Sequence, residues 1–194
     1  MHAPLITYLN TLLTTGLTAQ EAELIQDVFK PKKIRKHQYL LQEGEVCKTA
    51  GFLVKGAMKQ YTVDNAGKEN ILGLYLENWW VGDRESFSND TPSTYFIDAF
   101  EESEMLLISK ADYIQHLSKQ SFMTELLKTL SERQALQLLK RVHSAKTLSA
   151  EQRLTELEKT YPEFLQRFPQ HIIASYLGMT KETLSRIRKN AARK

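Results

Sequence analysis

The residues best suited to chemistry in this chain lie near its C-terminal end, in the run Lys181-Glu182-Thr183-Leu184-Ser185-Arg186-Ile187-Arg188-Lys189. The chemistry they suit is recognition of a nucleic acid. An arginine can donate two parallel hydrogen bonds to guanine, and a glutamate can accept from the cytosine amino group. Glu182 and Arg186 are four residues apart, so on a helix both can enter one major groove. Thr183, Leu184 and Ile187 fall three and four apart and form a stripe for packing against another helix. Lys181, Glu182, Ser185, Arg186 and Lys189 fall on the opposite face.

Two helices and a turn are needed to present that face. His171 to Leu177 reads as the first helix, with the small Ala174 where two helices must cross closely. Gly178 supplies a turn residue that tolerates positive φ. Thr180 is a good N-cap for the second helix. An ordinary helical hairpin with a solvated charged face has the same pattern, but charge favours DNA. Residues 171–194 hold Lys181, Arg186, Arg188, Lys189, Arg193 and Lys194 against Glu182 alone, a net of +5 in a chain whose total is +3. A basic patch confined to one end is the electrostatic footprint of a phosphate-binding module.

The rest of the composition sets bounds. At 194 residues the chain suits one large or two small domains. No apolar run is long enough to span a bilayer, so a membrane is not an expected partner. The stretch from Met1 to Gly16 lacks a basic leader and a small-residue cleavage site. A single cysteine, Cys47, excludes an intrachain disulfide and a cysteine-only iron–sulfur site, and points to a reducing cytoplasm.

Along the chain, Thr18-Ala19-Gln20-Glu21 is a capping box followed by Ala22, Leu24, Ile25, Val28 and Phe29 at helical spacing. Pro31 is expected to end that helix. From Ile34 to Ile108 short apolar or alternating runs are separated by turn residues: Tyr39–Leu41, Phe52–Val54, Met58–Val63, Ile71–Leu76, Trp79–Val81, Tyr95–Phe100 and Glu104–Ile108. Six to eight short strands so spaced suggest an antiparallel sandwich or jelly-roll barrel, with Asn65-Ala66-Gly67 as a hairpin tip. Trp79 and Trp80 are expected in the barrel core and rim. Ala111 to about Ala145 holds no proline or glycine and predicts one long amphipathic helix, roughly 38 Å if 25 residues long. Its apolar residues Phe122, Leu126, Leu130 and Leu138 are assigned first to a seam with a second subunit and next to packing on the barrel. Ser149-Ala150-Glu151-Gln152 is a second capping box. Tyr161-Pro162 and Phe168-Pro169 punctuate the route to the helix-turn-helix. The expected organisation is α+β: a β-roll over 1–110, a long helix over 111–146 and a helix-turn-helix domain over 147–194.

A β-roll, a long helix and a C-terminal helix-turn-helix, in this order, resembles the Crp/Fnr family of bacterial transcription regulators over essentially the whole chain. Gly178-Met179-Thr180-Lys181-Glu182-Thr183-Leu184-Ser185-Arg186-Ile187 is similar to the family's recognition-helix pattern, and Val81-Gly82-Asp83 followed by Ser93–Ala99 is similar to its phosphate-binding cassette. The resemblance implies a homodimer joined along the long helix, with double-stranded DNA and RNA polymerase as further partners. It implies base readout by Lys181, Glu182 and Arg186. Phosphate contacts, which position without specifying sequence, would come from Ser175, Thr180, Thr183 and Ser185, and Lys189 would add affinity on the same face.

The effector pocket departs from that pattern. Its candidates are Gly82, Asp83, Arg84, Ser93, Thr94, Leu138 and Leu139. Asp83 stands where cyclic-AMP binders carry a glutamate, and Ser93, followed by Thr94, stands where they carry an arginine. Hydroxyls can donate to a phosphate without neutralising it. Arg84 could supply the missing charge, although an ion pair beside Glu85 is the plainer expectation. A gap-free count along the long helix sets Leu138 and Leu139 against the base, where a purine amino group would lose its partner at about 1–3 kcal/mol. The sequence therefore assigns no certain cofactor: a cyclic nucleotide in the usual mode is not expected, and the cavity could hold another ligand or none. The end of the chain departs too. Lys189–Lys194 are too few for the β-hairpin wing that family members carry, so the wing is truncated and the basic tail is expected to lie along phosphates.

Two other classes fit less well. A metal-dependent enzyme on a jelly-roll needs clustered histidines and carboxylates, and His37, His116, His143 and His171 are scattered. A ligand-binding or interaction module without specific DNA readout would not place Glu182 within a basic face, where an acid is tolerated mainly because it reads a base.

Overall fold

The computed structural model describes residues 1–191. Helices α1 (Ala3–Leu12) and α2 (Ala19–Val28) come first. Leu5 and Leu9 of α1, and Leu13 just after it, are buried. Thr18 and Glu21 close the expected capping box at the start of α2. That helix ends at Val28, and Pro31 lies within a strand, β1 (Lys30–Ile34). The strand is the edge of its sheet, where a missing N–H is tolerated.

Seven further strands follow: β2 (Tyr39–Leu41), β3 (Thr49–Lys55), β4 (Met58–Val63), β5 (Glu69–Tyr75), β6 (Trp80–Val81), β7 (Phe96–Ala99) and β8 (Ser103–Ser109). They form two four-stranded antiparallel sheets, β1-β8-β3-β6 and β2-β7-β4-β5. Gly67, at φ +79°, turns the β4–β5 hairpin as expected. Asp64 Oδ1 accepts the amides of Ala66 and Lys68 there.

Three apolar layers hold the protein together. Ile34, Leu53, Val81 and Met105 of the first sheet meet Leu41, Met58, Ile97 and Ala99 of the second. On the outer face of the first sheet, Phe52, Leu106 and Ile108 pack against α1, α2 and the start of the long helix. On the outer face of the second, Tyr61, Ile71, Leu74 and Leu76 pack against the C-terminal helices. Both faces of β8 are buried, so Met105–Ile108 reads as a continuous apolar run.

The long helix differs from expectation at its start. Ala111 belongs to a short helix, α4 (Lys110–Asp112), followed by a π-helical turn at Tyr113–Leu117. The continuous helix, α5, spans Ser121–Thr147. Phe122, Met123 and Leu126 are buried in the layer against α1 and the first sheet, with Leu130 partly buried beside them, so they serve the protein's own roll rather than a seam with a second copy. From Glu132 to His143 every residue of α5 is exposed, including Leu136, Leu138, Leu139 and Val142.

Helices α6 (Ala150–Thr160), α7 (Pro162–Arg167), α8 (Gln170–Tyr176) and α9 (Lys181–Ala191) complete the chain. Ser149 and Gln152 form the second capping box, and Pro162 takes the first turn of α7, where its missing N–H costs nothing. Trp80 packs on Phe29 and Phe52, as a core residue should. Trp79 instead packs on Tyr75 of β5 and reaches the C-terminal helices, meeting Tyr161 edge-on and Phe164 at a tilt.

Candidate nucleic-acid interface and sensor site

Helices α8 and α9 form the hairpin that the sequence specifies. Gly178 sits at φ +65°, and the amides of Gly178 and Met179 return to the carbonyls of Ser175 and Ala174 at 3.0 and 2.9 Å. These bonds satisfy carbonyls that the end of α8 would leave unpaired. Thr180 Oγ1 accepts the Thr183 amide at 3.2 Å, the N-cap bond. Leu184 is fully buried among Leu154, Leu157, Ile173 and Ala174, with Ile187 packed beside it.

Burying that stripe turns the other face outward. Lys181, Glu182, Arg186 and Lys189 are exposed, Ser185 is half-buried, and together with Asn190 they line one open concavity. Its own backbone amide, then the Thr180 side chain, hold the Glu182 carboxyl below its ordinary value. It is therefore an acceptor at neutral pH, as reading a cytosine amino group requires.

The hydroxyls assigned to phosphates are placed differently from one another. Ser185 borders the open face. Thr180 and Thr183 face each other, Oγ1 to Oγ1 at 3.1 Å, within the cap. Ser175 is turned to the second sheet. Its Oγ accepts the Ile71 amide at 2.9 Å and donates to the Glu69 carbonyl at 3.2 Å, so it is bound to β5 and does not stand free for a phosphate in this arrangement. The basic tail residues Arg193 and Lys194 lie outside the described residues.

The cassette segment is closed on itself. Gly82, at φ +153°, turns the chain into helix α3 (Arg84–Asn89). Asp83 is its N-cap, with Oδ1 accepting the amides of Glu85 and Ser86 at 3.0 and 3.1 Å. Ser93 Oγ donates to Asp83 Oδ2 at 2.7 Å and accepts the Tyr95 amide at 3.1 Å. Asp83 and Ser93 are both buried, whereas Thr94 is exposed. The amides and hydroxyl that could face an anion are thus engaged with a carboxylate of the chain itself.

Arg84 does not pair with Glu85 and does not turn to the cassette. It donates to Ser131 Oγ at 2.8 Å and Gln134 Oε1 at 3.3 Å on α5. Leu138 and Leu139, which a gap-free count sets against the base, are not on the stretch of α5 that Arg84 reaches. The part of α5 that meets α3 carries Ser131 and Gln134, and Leu138 and Leu139 are exposed roughly 6 Å or more farther along the axis. Among the described residues no cation bonds Ser93, whose hydroxyl Asp83 already takes, so the residues present do not fit a cyclic phosphate. Burial pushes the Cys47 thiol up, which makes it a core residue rather than a reactive one. Among the described residues no cluster of His, Cys, Asp or Glu could hold a metal ion.

Contacts between the two halves were not foreseeable from spacing. Arg167 pairs with Glu77 and Glu101, and Arg141 Nη1 donates to the Leu72 carbonyl at 2.8 Å with its guanidinium 4.8 Å from the Tyr176 ring centre.

Residues 31–120 match the family described as the cyclic nucleotide-binding domain. The anaerobic regulatory protein of Haemophilus influenzae is 26% identical over 185 residues, covering 88% of this chain and 70% of that protein. The fumarate and nitrate reduction regulatory protein of Escherichia coli is 26% identical over 184 residues, covering 88% of this chain and 72% of that protein. Residues 31–120 are thus similar to a cyclic nucleotide-binding domain, and 88% of the chain is similar to these regulatory proteins. Solved structures agree in fold. FixK2 from Bradyrhizobium japonicum superposes with a TM-score of 0.71 at 17% identity, covering 86% of this chain and 85% of that one. The Thermus thermophilus catabolite activator protein gives 0.56 at 18% identity, covering 92% and 85%. The chain thus pairs a roll similar to the cyclic nucleotide-binding domain with a C-terminal helical hairpin, in the fold of these solved structures.

Proposed function

We propose that this chain is a Crp/Fnr-type regulator that binds a pseudo-palindromic DNA site as a homodimer and does so without cyclic AMP. The observation that carries the reading is the division of α9 into a buried stripe around Leu184 and an exposed face of Lys181, Glu182, Ser185, Arg186 and Lys189. Lys181, Glu182 and Arg186 read base edges, while Lys189 contacts phosphate. Two copies set their α9 helices about one helical turn apart, ~34 Å, in successive major grooves.

The exposed stripe of Leu138, Leu139 and Val142 supports the dimer. Apolar residues three and four apart on a helix exposed all round call for a cover, and a second copy of α5 supplies one. The bond between Asp83 and Ser93 supports independence from cyclic AMP. Contact with RNA polymerase rests on the resemblance to Crp/Fnr regulators alone. A cytoplasmic setting, where DNA is present, agrees with the reduced, buried Cys47. No described helix is long and apolar enough to cross a membrane.

The test is selection of bound duplexes from a random library by the full chain, with and without cyclic AMP. An inverted repeat recovered equally in both conditions is the expected result. Recovery that depends on cyclic AMP overturns the reading of the pocket, and recovery of no motif overturns sequence-specific binding.

A further inference from the structure

Arg167, at the end of α7, holds two carboxylates from distant parts of the roll. Nη2 and Nε bond Glu101 Oε2 and Oε1 at 2.6 and 3.1 Å, and Nη1 bonds Glu77 Oε2 at 2.6 Å. Glu77 follows β5 and Glu101 follows β7, so one guanidinium ties two loops of the second sheet to the C-terminal helices. The planar fork makes this possible; a lysine ammonium offers a single point of attachment. Glu77 is itself fixed from the other side, since its Oε1 accepts the Gly56 amide at 2.8 Å.

Other contacts extend the clasp. Ser175 bridges the Glu69 carbonyl and the Ile71 amide on the free edge of β5. Arg141, on α5, reaches both the Leu72 carbonyl of β5 and the Tyr176 ring of α8. The long helix, the sensor sheet and the first helix of the DNA-reading hairpin therefore meet at one side chain. None of these residues lies on the reading face of α9, and the hairpin closes through Leu184 without them. Covalently, only Leu148 and Ser149 separate α5 from α6.

We propose that Arg167 is a positioning residue that sets the separation of the two reading helices, and with it the half-site spacing the dimer accepts. This rests on the sequence-specific DNA reading above. One inserted base pair moves a half-site by roughly 3.4 Å and turns it about the duplex axis. A domain clasped to the roll, and through Arg141 to the dimer helix, rejects that displacement. A domain held by two linker residues follows it.

The experiment uses the full chain and two readouts. Hydrogen exchange at the Ile71 amide reports docking without DNA. Selection from a library of inverted repeats with varied central spacing reports discrimination. With Arg167→Ala, Ile71 exchange should rise about tenfold, the scale of a lost charge-assisted bond. The selected half-site sequence should stay the same while neighbouring spacings are recovered alongside the wild-type one. Arg167→Lys should restore part of the discrimination. An Arg167→Ala protein with undiminished spacing preference, whether or not exchange accelerates, overturns the proposal. Should that variant fail to fold, Glu77→Gln with Glu101→Gln is judged by the same criteria. A wild-type protein that selects no inverted repeat overturns the DNA reading and this proposal together, whereas Ile71 exchange still shows whether Arg167 clasps the halves.

Discussion

Ser93 donates its hydroxyl hydrogen to Asp83 across 2.7 Å, and the same carboxylate accepts the amides of Glu85 and Ser86. The segment that resembles a phosphate cassette is thus held shut by a buried anion of the chain itself. Cyclic AMP should give no stoichiometric micromolar complex by calorimetry and no rise in Tm. Asp83→Ala should destabilise the protein by about 0.5–2 kcal/mol in denaturant unfolding, the usual cost of losing an N-cap. A saturable complex, or an Asp83→Ala protein as stable as wild type, contradicts this account of the pocket.

On the reading face, charge and base recognition should separate. Arg186→Ala should relax preference at one base pair by about 1–3 kcal/mol, whereas Lys189→Ala should weaken all sequences alike and reduce the salt slope by about one. Binding by a panel of single-base variants of the selected site, at several salt concentrations, makes the comparison. Equal loss on every sequence for both variants contradicts the assignment.

Leu138 and Leu139 are the most exposed large apolar side chains, at 62% and 65%. Replacing both with glutamate should leave Tm nearly unchanged at low concentration, since neither touches the protein's own core, while shifting sedimentation from dimer to monomer. A variant that remains a dimer places the seam elsewhere.

The clasp should open in acid. Burial raises the Glu77 carboxyl, but the bonds from Arg167 and from backbone amides outweigh it, leaving its pKa below the ordinary 4.5. A depressed carboxylate contributes docking stability above its undocked pKa and loses that contribution as pH falls through the docked value. Docking should therefore be full at neutral pH and weaken below about 4.5. Trp79 reports it, because its ring lies on Tyr161 and Phe164. With Trp80→Phe leaving Trp79 as the remaining tryptophan, its emission should shift to the red on acidification. The transition should be reduced by Glu77→Gln, and a shift unaffected by that change would assign the titration to another group.

What could be read from the sequence was local. The capping boxes at Thr18 and Ser149, the Gly67 hairpin and the Gly178 turn each depend on residues within four positions, and each forms as expected. The reading face follows from helical period alone. Expectation fails where partners are far apart in sequence. Ser175 is 104 residues from Ile71 and Arg167 is 90 from Glu77, and no spacing rule pairs them. Phe122 and Leu126 fit a dimer seam as well as a core, because periodicity shows that a face is apolar without showing what covers it. Leu138 and Leu139 lie on the exposed stretch of α5, and spacing along one chain does not show what covers them.

The open edge of β5 has a further meaning. Its outward Glu69 carbonyl and Ile71 amide are satisfied by Ser175, and its outer face of Ile71 and Leu74 is roofed by the C-terminal helices. A fragment ending near Thr147 would keep all eight strands yet leave an unpaired edge beside bare hydrocarbon, the combination that lets one molecule add its strand to another. The helices that carry the exposed charged face of α9 thus also guard the roll against self-association and aggregation.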